Sequence, residues 1–510
     1  MSHKFVINQY SHGCFITCQY VNDAKALTDY CRTISQFENV WVPRLRRKVR
    51  QAVAIYACTS MDRMTYGFVL GELPYIKQYL FSQGYNQTDF KEIVHAPDPG
   101  VEVDVSVCPG VAPRDEEQRT VLKFLTEPDT NQRVLSLRTG AGKTFCGLLT
   151  VAHYQVRTAL VMSSGYLEIW LKSIGWILGL TEEDYFIVKG YPKLKKIVDL
   201  SLSGRNNYKL IFITIGTLRS YINEYLSTGV TAVGVAPIDL YTTLGVGLRI
   251  VDEAHETPHA LTLQTIHTHV AKSIYLSATL EATDPFINGR YKMLFKDSDR
   301  FKQGRNNRHV EVYAAYYSLQ NPDKATYMGE KGYSHVAYEN WMLDNKYALN
   351  RYFDLVYSLV KSMYVDVRRS GEKALIFCAT VEFCRQLSEW LSRQPGLQNL
   401  TVAYYVAHHE VEVLHSHDIV VTTPTSAGTG KDIKGLVFCL STVAIGSIQR
   451  NLQMLGRIRD NPDDPEFKPR YLYLTCRNIQ KQMYYDYLKR SAQFVGKCKR
   501  ISGIETHRVI

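Results

Sequence analysis

Gln132-Arg133-Val134-Leu135-Ser136-Leu137-Arg138-Thr139-Gly140-Ala141-Gly142-Lys143-Thr144, continued by the apolar run from Phe145 to Tyr154, is the stretch that decides the fold. A short strand leads into a glycine-bearing turn, and the turn opens a helix. That order suits a phosphate group, because glycines let backbone N–H groups approach closely and a helix N-terminus favours negative charge. Thr139, Gly140, Ala141 and Gly142 would form the cradle, Lys143 would reach the β- and γ-phosphates, and the Thr144 hydroxyl would hold Mg²⁺. The generic spacing, Gly-x4-Gly-Lys-Ser/Thr, asks for glycine at 137, where this chain has Leu137.

Outward from that loop, apolar or β-branched runs recur at Ala159–Met162, Leu210–Thr214, Leu248–Val251 and Ser273–Leu276, separated by helical or irregular stretches. Such alternation implies βα units and a parallel sheet. The rhythm resumes at Lys373–Cys378, Thr401–Val406, Asp418–Thr422 and Gly435–Leu440, so a second parallel sheet is expected. The predicted fold class is α/β, with lobes over 114–285 and 347–510 and a small N-terminal α/β module over 1–95. Residues 96–113, with four prolines and two glycines, read as a linker or a strap of extended chain. The segment 286–346 is expected to be irregular, either an insertion facing nucleic acid or a solvated connector.

A chain of 510 residues is long enough for three or four units, and 45% hydrophobic against 21% charged residues is ordinary globular usage. Sixty Lys+Arg against 49 Asp+Glu give a net charge of +11, which favours a polyanionic partner. The 11 cysteines are scattered without zinc-ligand spacing, so they read as reduced thiols, with Cys14 and Cys18 packing a strand. No basic n-region precedes an apolar core, and no apolar run reaches the ~18 residues of a membrane span. A soluble, cytoplasmic protein without membrane association is expected.

A second chemical signal is Val251-Asp252-Glu253-Ala254-His255, which places two adjacent carboxylates just after an apolar strand, where α/β proteins hold ligands. Asp252 would hold Mg²⁺ and Glu253 would orient or deprotonate an attacking water, leaving His255 to couple the site to the nucleic-acid side. With Ser277-Ala278-Thr279 following a strand about two dozen residues later, the ordered set resembles helicase superfamily 2 across about 114–460. The short Thr-Gly-x-Gly-Lys-Thr loop fits that resemblance. It implies two RecA-like lobes, with Ser277 and Thr279 coupling nucleotide state to strand movement.

The same resemblance implies an adenine-reading element at Arg114-Asp115-Glu116-Glu117-Gln118, since the Gln118 amide can both donate and accept. Strand contacts are implied for Ser163 and Ser164, for Thr217 and Arg219, and for Thr423 and Thr425 in the second lobe, groups suited to phosphate oxygens. Gly430 and Asp432 would face nucleotide. Gln453-Met454-Leu455-Gly456-Arg457-Ile458-Arg459-Asp460 is similar to the family's arginine-finger motif, although the terminal Arg of Gln-x-x-Gly-Arg-x-x-Arg is Asp460 here. Arg457 and Arg459 would both meet phosphate, with Gln453 beside them, the finger being either Arg459 after a one-residue backbone adjustment or Arg457. Basic clusters at Pro43–Arg50 and Lys497–Arg500 are solvated faces or further phosphate contacts.

The expectation is an ATP- and Mg²⁺-dependent DNA helicase or translocase acting on forked, branched or single-stranded DNA in replication, repair or recombination. Its layout resembles the phage UvsW-type helicases. An RNA helicase, a duplex translocase that separates no strands, or a binding scaffold with a degenerate ATPase site are the alternatives.

Overall fold

The computed structural model describes residues 3–510 except 43–46, 138–140, 278–279, 281, 283, 302–308, 331, 407–408, 427–432, 459–463 and 465, with the side chains of 38–42, 47–51, 53 and 492 also set aside. Apart from short loop pieces, residues 1–302 form one compact unit and 303–510 another.

The first unit begins with strands β1 (Phe5–Gln9), β2 (Gly13–Cys18), β3 (Ser35–Val42), β4 (Arg47–Ile55), β5 (Cys58–Thr59), β6 (Thr65–Val69) and β7 (Phe90–Val94). Five of them form a sheet in the order β5-β6-β2-β1-β7, and β3 and β4 make a separate antiparallel ribbon. Helices Val21–Thr33 and Leu73–Ser82 supply Leu27, Ile76 and Leu80 to a core with Phe5, Ile7 and Phe68. Cys14 and Cys18 are buried in that core as free thiols, and the described residues contain no group of three or more His, Cys, Asp or Glu that could hold a metal.

Residues 96–113 are fastened as a strap. The Val101 N–H donates to the Gly245 carbonyl at 2.9 Å, Arg157 N–H to Val101 at 2.8 Å, and Cys108 N–H to Ile177 at 2.8 Å. Gly100, at φ +88°, lies so close to Gly247 that a Cβ there would overlap backbone atoms.

The strap leads to β8 (Gln132–Ser136), β9 (Thr158–Met162), β10 (Tyr185–Val188), β11 (Leu210–Thr214), β12 (Leu248–Val251) and β13 (Lys272–Ser277). They form a parallel sheet in the order β10-β11-β9-β12-β13-β8. Every residue of β9, β12 and β13 is buried, as a sheet covered on both faces requires. All six strands point the same way, so the loops leaving their carboxyl ends share one edge.

The second unit has β14 (Glu311–Ser318), a short hairpin of β15 (Met328–Gly329) and β16 (Gly332–Tyr333), then β17 (Lys373–Phe377), β18 (Val402–Tyr405), β19 (Ile419–Thr422), β20 (Leu436–Ser441), β21 (Arg470–Cys476) and β22 (Arg500–Val509). Seven of these form a parallel sheet, β18-β19-β17-β20-β21-β14-β22. The α/β expectation with two parallel sheets and a small N-terminal module holds. Residues 286–346, expected to be irregular, instead contain a helix to Leu294, the strand β14 inside the second sheet, and the helix His335–Asp344. In β14, Val312, Ala314 and Tyr316 enter one core while Ala315 and Tyr317 enter the other. A strand buried on both faces shows no alternation, and its tyrosines disguise it as polar chain. The basic tail is likewise structured, for Arg500 opens β22 beside β14. No helix among the described residues is long and apolar enough to cross a membrane.

Candidate active site

The carboxyl ends of β8, β12 and β13 bring the phosphate loop, the acidic pair and Ser277 to one edge of the first parallel sheet, with β13 lying between the other two. Gly142 adopts φ +91° and caps the helix Lys143–Tyr154; a Cβ there would overlap the Gln118 side-chain amide. Only glycine meets both constraints. Ala141 is buried, and its carbonyl accepts the Gln118 Nε2–H at 3.2 Å while Gln118 Oε1 accepts the Arg114 N–H at 3.0 Å. The Gln118 amide thus joins the Arg114 segment to the back of the loop. Thr144 stands half-buried in the first helical turn. Thr139 and Gly140 lie outside the described residues.

Across β13, Lys143 Nζ is 3.1 Å from Glu253 Oε1, and the two side chains are only 10% and 16% exposed. The backbone of Glu253 is left-handed, at φ +48°, a conformation that costs a residue with a Cβ roughly 1–2 kcal/mol. Its N–H donates to Asp252 Oδ1 at 2.9 Å, and Asp252 Oδ2 accepts the Trp170 indole N–H at 2.7 Å. Burial, and then the neighbouring Glu253 charge, push the Asp252 carboxyl above its usual range; Lys143 and Trp170 oppose them. A buried carboxylate raised in this way is stabilised by an added cation.

His255 Nδ1 is 2.8 Å from Ser277 Oγ and 3.2 Å from Glu253 Oε2, and its backbone carbonyl accepts from the Tyr291 hydroxyl at 3.1 Å. Burial pulls its pKa down to about 4, so the ring is neutral at physiological pH. Thr279 lies outside the described residues. Oxygen donors such as Asp252 and Thr144 are what Mg²⁺ selects, and it is usually held by one or two protein groups together with substrate phosphates. The raised Asp252 carboxyl and the glycine cradle fit such a pair of ligands.

The expected strand contacts occupy the same edge after β9 and β11. Ser163 is half-buried, 3.4 Å from Glu256 Oε2, while Ser164 and Arg219 are exposed. Thr217 is buried, its hydroxyl accepting the Gly190 N–H at 2.8 Å and meeting Thr214 Oγ1 at 2.7 Å, so it fastens its own loop. In the second unit, Thr423 is buried and bonds the Ser426 hydroxyl at 2.8 Å, leaving Thr425 exposed. Gln453 is half-buried; Arg457 is 4% exposed, and its charge opposes the upward push that burial gives the Cys439 thiol. Gly430, Asp432 and Arg459 lie outside the described residues, as do Pro43–Arg46.

Sequence reasoning passed over Trp170, which holds Asp252, and Tyr166, whose hydroxyl donates to Glu256 at 2.6 Å. A lone aromatic in a helix reads as core, and only its hydrogen bond marks it as part of the site.

No family model matches the chain, and no curated protein matches it. Among solved structures it is similar to T4 UvsW, at 12% identity over 99% of this chain and 100% of that one, with a TM-score of 0.36. It is also similar to Mss116p bound to ssRNA and AMP-PNP, at 14% identity, 76% and 74% coverage and a TM-score of 0.48. S. cerevisiae Dbp5 bound to RNA and ADP BeF3 gives 13% identity, 77% and 90% coverage and a TM-score of 0.48. These likenesses are too low in identity and TM-score to bear on what the chain does.

Proposed function

We propose that the chain is a nucleic-acid-dependent ATPase of the helicase superfamily 2 type, acting on DNA that is forked, branched or single-stranded. The observation that carries this reading is the Lys143–Glu253 pair set between a glycine-cradled helix N-terminus and the buried Asp252 carboxyl. In the absence of phosphate, Lys143 neutralises Glu253. When ATP enters, its γ-phosphate competes for the ammonium, and transfer of Lys143 to phosphate leaves the Glu253 carboxylate able to take a proton from water. The water oxygen then bonds to the γ-phosphorus, the bond to the bridging oxygen breaks, and ADP carries that electron pair away. Thr144 and Asp252 would hold Mg²⁺, which would supply positive charge against the phosphate groups. Arg457 and Arg459 supply guanidinium to the transferring phosphoryl group. Gln118 and Arg114 contact adenine as well as the loop. His255, Ser277 and Thr279 link the carboxylate pair to the strand, which is gripped through Ser163, Ser164, Arg219 and Thr425, while the buried Thr217 and Thr423 brace the loops that carry them.

Steady-state ATPase with and without DNA tests the site. Lys143→Ala is expected to abolish DNA-stimulated turnover, and Glu253→Gln to retain nucleotide binding while hydrolysis falls by a factor on the order of 10² or more. Retained turnover in Lys143→Ala, or lost ATP binding in Glu253→Gln, would refute these roles. Unwinding of forked DNA, a DNA–RNA hybrid and RNA duplex separates DNA from RNA action, and an RNA-only result removes the DNA assignment.

A further inference from the structure

A second site lies wholly within residues 303–510. A cavity of about 730 Å³ opens where β17, β19, β20 and β21 end, lined by Tyr333, Thr425, Arg450, Lys481, Tyr484 and Tyr485 among others. Its volume falls within the usual range for an organic ligand of nucleotide size. The charged groups among its described lining residues are Lys481 and Arg450, and none of those residues carries a carboxylate. Lys481 Nζ stands 4.8 Å from the Tyr484 ring centroid and 5.4 Å from that of Tyr485. Tyr484 is 48% exposed and tilted against Tyr485, with 6.1 Å between ring centroids, so part of its ring stays open to solvent. Tyr485 meets Tyr333 edge-on at 6.0 Å and rests on the bare backbone of Gly446, where a Cβ would overlap the ring.

The walls are held from behind. The Tyr333 hydroxyl lies 2.7 Å from His335 Nδ1 and accepts from Gln482 Nε2 at 2.8 Å, and the Ala444 N–H points to the same His335 nitrogen from 3.3 Å. Beneath them the fully buried Glu339 carboxylate accepts both the Ala379 and Thr380 N–H groups at 2.7 Å. Residues 332–339, in the stretch whose sequence reading was open, therefore build one side of the cavity. The helix Gln480–Leu488 builds another.

We infer that this cavity takes one unpaired nucleotide of a single strand, its base against the Tyr484 and Tyr485 rings and its phosphate against Lys481, Arg450 and the exposed Thr425. The inference rests on the nucleic-acid reading above and adds to it the tyrosines that no motif marked. Rings beside cations are the combination that holds single strands without regard to sequence, because every base has a π-face. A duplex keeps its bases stacked and cannot offer one to the cavity.

Fluorescence anisotropy of full-length protein with labelled oligothymidylate tests this, with a fluorescent ATP analogue followed separately. Tyr484→Ala is expected to weaken strand binding about tenfold, in line with the loss of one base–aromatic stack. Tyr484→Phe should bind as wild type does, and Lys481→Glu should lower the slope of log K against log salt by about one. ATP-analogue affinity should stay unchanged in all three. Photocrosslinking of a 5-iodouracil strand to wild-type protein should label Tyr333, Tyr484 or Tyr485. Wild-type-like strand binding by Tyr484→Ala, or crosslinks confined to other residues, would overturn the inference while leaving the ATPase reading standing. Wild-type protein that binds no strand would sink both.

Discussion

Asp252 is a buried acid whose charged form one indole hydrogen bond favours against the push of burial. Its burial and the Glu253 charge raise the carboxyl, whereas the Trp170 N–H at 2.7 Å favours the charged form. A hydrogen bond to a charged group contributes about 1.5–3 kcal/mol, equivalent to one or two pH units. Trp170→Phe keeps an aromatic ring there and removes only the donor. The acid limb of the pH profile for ATP turnover is therefore expected to move upward by about one unit. An acid limb at the wild-type position would show that Asp252 is not the group titrating in turnover.

The turn from β8 into the helix Lys143–Tyr154 is the element on which the proposed site depends, and Gly142 is its pivot. Gly142→Ala adds a Cβ at φ +91° against the Gln118 amide, so both the backbone and the Arg114–Gln118–Ala141 bridge must shift. A strain of about 1–2 kcal/mol corresponds to roughly tenfold weaker nucleotide binding, measurable by titration of a fluorescent ATP analogue, together with a lower melting temperature. Wild-type affinity would mean that the loop tolerates a side chain and that its glycine serves some other purpose. This element was legible in the sequence because the chemistry is local: a glycine, a lysine and a hydroxyl must follow one strand, and a carboxylate pair must follow another. Trp170 was not legible, since its helical position suits a core residue equally well. Nor was β14, whose tyrosines and alanines enter two cores at once. Tyr484 and Tyr485 share a helix with Lys481, and only the chain leaving β16 makes them one wall of a cavity.

At the scale of the whole molecule, buried imidazoles tie stability to pH. His12 and His255 in the first unit and His335 in the second are pushed by burial to about 3, 4 and 3, and His267 to about 4. The unfolded chain protonates histidine near 6.5, so between about pH 6.5 and 4 the unfolded state binds more protons than the folded one. By linkage, stability is then fully present above pH 6.5 and is lost as pH falls through that window. Asp252, Glu256, Glu339 and Asp486 have the opposite sign, because burial makes their folded forms hold a proton more tightly than the unfolded chain does, and they offset part of that loss. These histidines lie in places that pack the chain together: His12 accompanies the contact of Ser11 with Val270, His255 the end of β13 at Ser277, and His335 the cavity wall. The buried histidines are therefore expected to lower the melting temperature as pH falls from 6.5 to 4.5, the raised carboxyls making that fall shallower. The chemical denaturation free energy should fall over the same acid window, by the difference between the histidine and the carboxyl contributions. His267→Phe removes one of these titrating groups from a wholly buried position and should make the acid fall shallower. An equally steep fall in that variant would assign the acid sensitivity to the carboxylates instead.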